Sequence, residues 1–356
     1  MKKLDNTLKQ VLMDGTVLPA HPLCLDENRQ FDEANQRLLT NYYIESGAGG
    51  IAVGVHSTQF EIRLPEHNLF EKVLQVSADV IKEANIDRPF IKIAGICGPV
   101  EQAVEEAKLA LQYGYDIGLL SMGGLQDLTE EQILERTRKV AQVMPVFGFY
   151  LQPSVGGRIF SYDFWAQFVN IENVEAIKCA SFNRYQTLDV VRAIANSPRK
   201  DQIALYTGND DNIVSDLLAI YRFNVNGKEE EVQFRGGLLG HWAVWTSKAV
   251  ELLDKVKAYK TNPTAEKWEE LQILANQTTD VNAVLFDVAN DFHGCIPGIH
   301  EVLRRQGLMK GTWCLNPQEV LSAGQYEELT RIYEDYPALN DDDFVKEFLK
   351  KYKTPA

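Results

Sequence analysis

Cysteine is scarce in this 356-residue chain, and the five present are scattered. Cys24, Cys97, Cys179, Cys295 and Cys314 are odd in number and never stand in C-x-x-C spacing. That excludes a disulfide framework and points to free thiols, the expectation for a cytoplasmic protein. Positive charge is also short, with 36 lysines and arginines against 50 aspartates and glutamates, a net charge of −14. Nucleic acid and anionic membrane both need a basic footprint, so neither is expected as a partner. No stretch approaches the roughly 20 apolar residues of a membrane span. The opening MKKLDNTLKQVLMDG has lysines but no apolar core, so no secretory signal is expected. The six histidines show no metal-ligand spacing, and no metal is expected. No G-x-G-x-x-G follows a strand candidate, which disfavours a dinucleotide fold. No Ser-His-Asp or Cys-His set can be argued from the chain.

What the chain does have is a regular alternation. Short apolar runs recur at 16–20, 50–54, 90–95, 117–122, 145–150, 174–180, 203–208 and 237–240, each gap leaving room for a helix. Phe31, Ala34, Leu38, Tyr42 and Tyr43 are expected on one helix face, and Val100, Ala103, Val104, Ala107 and Leu111 on another. Leu-Thr-Glu-Glu at 128–131 and Gly-Pro-Val at 98–100 mark helix starts. SGAGG at 46–50 and YGYD at 113–116 mark helix ends. Eight βα units with short buried strands make an α/β fold, a (β/α)8 TIM barrel before an open doubly wound sheet. The expected barrel covers 1–260. A hairpin insertion at about 221–236 turns at Asn226-Gly227, for packing or subunit contact. Residues 261–356 form a C-terminal helical appendage, whose NDDD run at 340–343 is expected to cap the last helix and face solvent.

Active sites of such barrels lie at the C-terminal ends of the strands. There the stretch VEAIKCAS (174–181) places Lys178 at the end of an apolar run. A desolvated lysine loses part of its charge, and a neutral amine attacks carbonyls to form a Schiff base. The strand alone fits better a lysine that snorkels outward or pairs with a carboxylate. Tyr150, ending the neighbouring strand, adds a phenol expected to reach the amine and relay protons. Its bland reading is a packed tyrosine with a satisfied hydroxyl.

PVFGFYLQPSVGG followed by NVEAIKCAS resembles the Tyr-x-x-Pro-x-x-x-Gly and Ile-x-Ile-Lys-x-Ala-Ser pattern of the dihydrodipicolinate synthase / N-acetylneuraminate lyase family. GTVLPAHPLCLDENRQFDEANQRLLTNYYIESGAGGIAVG resembles the family's first βα unit, and GICGPVEQAVEEAKLALQYGYD its third. The resemblance covers roughly residues 14–330. It implies a barrel with a helical C-terminal region, often tetrameric, and class I aldolase chemistry on pyruvate or a related 2-oxo acid. It implies no cofactor beyond the covalent Schiff base, with Lys178 the Schiff-base lysine and Tyr150 the proton relay. The loop after the second strand would hold the substrate carboxylate, with Val55, His56 and Ser57, and with Leu239 at the end of the eighth strand, as substrate-binding residues.

The departures from the pattern are equally specific. The family's Gly-Thr-Thr-Gly-Glu loop reads Gly54-Val55-His56-Ser57-Thr58, losing one hydroxyl and gaining an imidazole. The synthases' cross-subunit tyrosine has no counterpart in Ser121-Met122-Gly123-Gly124-Leu125. Their substrate-carboxylate arginine falls at Val155, and whether Arg158 reaches the pocket stays open. Asn209, in Asn209-Asp210-Asp211 after the seventh strand, is a candidate for substrate hydroxyls, or a solvated turn. Trp242 either shapes the acceptor pocket or packs. The resulting expectation is a Schiff-base aldolase or dehydratase of a 2-oxo acid or 2-keto-3-deoxy sugar acid, not a typical dihydrodipicolinate synthase. Its partners would be the 2-oxo acid, an aldehyde being open, and further copies of itself as a dimer or tetramer. Two alternatives remain: a non-catalytic 2-oxo-acid-binding or regulatory barrel, and an enzyme in which Lys178 is only a charged ligand.

Overall fold

All eight apolar runs are strands in the computed structural model, which describes residues 1–352. The strands are β1 (Val17–Pro19), β2 (Gly50–Val53), β3 (Ile91–Ile96), β4 (Ile117–Leu120), β5 (Val146–Leu151), β6 (Val174–Ala180), β7 (Ala204–Thr207), β8 (Tyr221–Val225), β9 (Lys228–Val232) and β10 (Phe234–Leu239). The helices through the barrel are α1 (Asn6–Asp14), α2 (Glu33–Glu45), α3 (Phe70–Glu83), α4 (Val100–Gln112), α5 (Glu130–Ala141), α6 (Tyr162–Phe168), α7 (Arg184–Ala195) and α8 (Ile213–Leu218). The C-terminal helices are α9 (Thr246–Thr261), α10 (Ala265–Leu285), α11 (Cys295–Arg305), α12 (Gln325–Asp335) and α13 (Asp342–Tyr352). None of these helices is long and apolar enough to cross a membrane.

The main sheet has eight strands in the order β1-β10-β7-β6-β5-β4-β3-β2. Its two end strands meet through a parallel bridge between Ala20 and Ala52, with His21 N–H on the Ala52 carbonyl at 2.8 Å. That contact closes the sheet, and the architecture is a (β/α)8 barrel with a C-terminal helical part. By contact density the chain forms two compact units, Met1–Thr16 with Ile91–Leu238, and Val17–Phe90 with Leu239 onward.

In the first unit, β3 to β7 carry almost unbroken apolar burial, as strands covered on both faces must. α5 starts on a reciprocal cap. Gln132 N–H donates to Thr129 Oγ1 at 3.2 Å, and Thr129 N–H donates to Gln132 Oε1 at 2.8 Å. α4 ends before Gly114, whose φ of +75° a side chain would resist. The hairpin is β8 and β9, antiparallel with Val225 opposite Lys228, and Asn226-Gly227 both take positive φ. It lies against α7, and Glu230 bonds Lys200 at 2.7 Å. The N-terminal α1 was not anticipated. It is tied down where the Tyr206 hydroxyl donates to the Leu12 carbonyl at 3.0 Å and accepts Thr16 N–H at 3.2 Å.

Two expectations in the second unit need correction. The buried face of α2 is Asn35, Gln36, Leu39, Thr40, Tyr42 and Tyr43, and Ala34 is exposed. Polar residues go inward because their partners are there: Asn35 donates to the Leu308 carbonyl at 2.8 Å, and Gln36 accepts Cys24 N–H at 2.8 Å. Asp341 of the NDDD run does not face solvent. It is buried and accepts from Tyr42 Oη at 2.7 Å, Ser247 Oγ at 3.1 Å and Gln306 Nε2 at 2.8 Å. This network ties α13 to α2.

Candidate active site

In the first unit the site is built on β5, β6 and β7. Lys178 lies two residues before the end of β6, at 9% exposure. Its register partners are Phe149 of β5 and Tyr206 of β7, which puts all three on one face of the sheet. The ammonium lies 4.3 Å from the centre of the Phe149 ring. The stem passes over Gly208, where a Cβ would sit 2.5 Å from Lys178 Cε and 2.9 Å from its Cγ. Burial lowers the Lys178 pKa from the usual 10.5 to about 8, and the Asp210 carboxylate opposes part of that fall.

Tyr150 does not stand beside this amine. Its register partner is Cys179, whose Sγ lies 3.7 Å from Thr187 Oγ1 of α7. The Tyr150 ring packs 5.0 Å from Trp165 of α6 and 5.9 Å from Phe160. Its hydroxyl accepts Phe160 N–H at 3.4 Å, and burial pushes its pKa up to about 12. Tyr150 therefore belongs to the helix-covered face, and Lys178 to the inner one. The cause is a bulge. Val146 pairs with Val174, but Phe147 pairs with Ala176, so Glu175 is skipped and the offset grows from 28 to 29. A one-residue slip exchanges the faces of every following pair.

The loop after β7 is wired to its own helix. Asn209 is fully buried; its Oδ1 accepts Phe182 N–H at 2.9 Å and its Nδ2 donates to Asp216 of α8 at 2.8 Å. Thr207 Oγ1 at 2.7 Å and Asn212 Nδ2 at 3.1 Å donate to the same carboxylate, and Arg184 pairs with it. Both ends of the Asn209 amide are consumed inside the fold, which corrects its candidacy as a ligand for substrate hydroxyls. Arg158 is likewise engaged, donating to the Leu128 carbonyl at 2.7 Å and lying over Phe160. It braces the loop after β4.

The second unit holds the loop after β2. Gly54 has φ +75°, and a Cβ there would lie 2.8 Å from the Phe70 ring, so glycine is required. Thr58 organises the turn: its Oγ1 accepts from Gly54 N–H at 3.0 Å and Val55 N–H at 3.1 Å, and donates to the His21 carbonyl at 2.7 Å. Ser57 Oγ donates to the Ala20 carbonyl at 2.9 Å, so its proton is committed there. His56 is partly exposed, its ring 5.8 Å from Phe60. Leu239 is buried and its carbonyl accepts Ala20 N–H at 3.2 Å. Trp242 is fully buried on the short turn after β10, where its carbonyl accepts from Thr246 Oγ1 at 2.8 Å.

Sequence reasoning missed Thr58 and Phe149, and it noted Gly208 only as a strand end and Asp210 only within the Asn209-Asp210-Asp211 stretch. The glycine directly after a strand, followed by Asn-Asp-Asp, was the available signal for the last two.

Neither a known protein family nor a curated protein matches the chain by sequence. Solved structures do match it. Dihydrodipicolinate synthase from Oceanobacillus iheyensis superposes with a TM-score of 0.72 at 16% identity, over 93% of this chain and 99% of that one. A dihydrodipicolinate synthase from Bacillus anthracis gives 0.71 at 20% identity, over 91% and 98%. N-acetylneuraminate lyase from Fusobacterium nucleatum, solved with pyruvate, gives 0.69 at 16% identity, over 92% and 99%. The likeness runs over nearly the whole of each chain, and what this chain shares with those enzymes is the (β/α)8 fold with its C-terminal helices.

Proposed function

We propose that the protein is a class I aldolase-type lyase that forms a Schiff base between Lys178 and pyruvate or a related 2-oxo acid. The observation that carries this is the lysine itself. It is buried near the end of β6, the position where barrel enzymes keep reactive groups. A pKa of about 8 leaves about a tenth of it as neutral amine at pH 7. The likeness to dihydrodipicolinate synthases and to a pyruvate-bound N-acetylneuraminate lyase supports the same chemistry. The amine attacks the ketone carbon, and the iminium then accepts electrons from C–C cleavage or assists loss of water. No external cofactor takes part. Val55 in the loop, Ser121 to Leu125 after β4 and Val155 set the substrate apart from that of a dihydrodipicolinate synthase. A 2-keto-3-deoxy sugar acid is the favoured alternative substrate, and a homo-oligomer the favoured assembly.

A non-catalytic 2-oxo-acid-binding barrel is the second reading, favoured by one observation: Tyr150 faces away from the amine. Intact mass after incubation with pyruvate and borohydride separates the two. An adduct in the wild type that is absent in Lys178→Ala supports the lyase. No adduct with pyruvate or a panel of other 2-oxo acids refutes it.

A further inference from the structure

Among the described residues, the Lys178 nitrogen forms no ion pair or hydrogen bond. What it meets is the Phe149 ring, 4.3 Å from nitrogen to ring centre. We infer that the face of this ring takes the place of a counter-ion, making Phe149 the positioning residue that keeps the Schiff-base nitrogen protonated, a reading that rests on the Schiff base proposed above. The strands put the ring there. Phe149 is 3% exposed and is the register partner of Lys178 on β5. The Lys178 stem runs against Gly208, where even a methyl group would lie 2.5 Å from Cε. Tyr206, the register partner on β7, commits its hydroxyl to the Leu12 carbonyl and the Thr16 N–H. Asp210 of the loop after β7 acts on the amine as a charge.

The electron-rich face of a ring attracts a cation, and it has no basic atom to take the cation's proton. A carboxylate in the same place would accept that proton and leave a neutral imine, a poorer electron sink. The reaction balances as ammonium plus ketone giving iminium plus water. Two N–H protons leave with the ketone oxygen, a C–N double bond replaces the C–O double bond, and the positive charge over the ring is the same before and after. The ring thus favours ammonium over amine and iminium over imine.

A ring that holds charge and a ring that is only an apolar wall are told apart by fluorine, which withdraws the negative face and keeps the shape. Full-length protein is made with phenylalanine or its mono-, di- or trifluorinated form at position 149, and as Phe149→Leu, with circular dichroism as the check on folding. Trace acetic anhydride labels only the neutral amine and gives the Lys178 midpoint. Borohydride reduces the iminium and not the neutral imine, so trapping with pyruvate across pH gives the point at which the adduct loses its charge. Expected is a downward move of both midpoints with each fluorine. It reaches about one pH unit for the trifluorinated ring and for Phe149→Leu, so that neutral amine at pH 7 rises about fivefold. Midpoints that stay in place across the fluorinated series, or move up, beside a normal wild-type adduct, overturn this inference alone. No wild-type adduct with any 2-oxo acid overturns the Schiff-base reading and this one together.

Discussion

The lowered basicity of Lys178 can be measured without knowing the substrate. At a pKa of about 8 the amine is about one-tenth neutral at pH 7 and half neutral at pH 8. An ordinary lysine with a pKa of 10.5 is neutral about 300-fold less often at pH 7. Competitive labelling with trace acetic anhydride reads this directly, because only the neutral amine reacts. The extent of acetylation of the peptide carrying Lys178, normalised to a free amino acid, is followed by mass spectrometry from pH 6 to 11. Limited access to the buried nitrogen scales the whole curve and leaves its midpoint unchanged. The expected curve rises about 50-fold between pH 6 and 8 and levels off near pH 9. Lysines with an ordinary pKa continue to climb beyond pH 10. A Lys178 curve that climbs with them would refute the reasoning, because burial would then not have shifted the amine.

Three further outcomes follow from the same geometry. The unfolded chain holds the Lys178 proton up to about pH 10.5 and the folded chain only to about 8, so the ammonium opposes folding below pH 8 and stability rises through that window. Lys178→Met is expected to add up to about 3 kcal/mol at pH 7 and much less at pH 10, read from urea unfolding at both values. Gly208→Ala has no positive φ to strain it, so it acts by pushing on the Lys178 stem and the Ala180 methyl. It is expected to cost about 1–3 kcal/mol yet slow pyruvate trapping about 10²-fold; trapping at the wild-type rate would show that the stem has room. Thr58→Val leaves two buried N–H groups and a carbonyl without partners and is expected to cost about 2–5 kcal/mol, with Thr58→Ser near wild type in the same unfolding assay.

The strands were legible because each is a short apolar run bounded by turn residues, and a barrel strand is apolar along its whole length. Lys178 was legible for the same reason, as one of two cations in such runs, Lys92 of β3 being the other. Tyr150 was misread because its spacing of 28 to Lys178 equals the register at the start of β5, where Val146 faces Val174. Composition gives no sign that Glu175 drops out of the ladder. The buried face of α2 was misread through Asn35 and Gln36, whose partners at Leu308 and Cys24 lie at distances in sequence that periodicity cannot see. Asp341 was misread likewise: a run of acids looks solvated until Tyr42, Ser247 and Gln306 are brought to it.

The skipped residue is itself held in place. Glu175 is buried and its carboxylate lies 2.8 Å from Lys9 of α1. An ion pair at the entrance of β6 thus anchors the bulge that decides which aromatic ring, Phe149 or Tyr150, meets the amine at the strand's exit. Which ring meets the amine is a matter of phase: it is set near the entrance of the strand and transmitted along it as odd or even. Loss or gain of one residue near 175 would exchange the phenyl for the phenol beside Lys178 while every side chain around the amine kept its name.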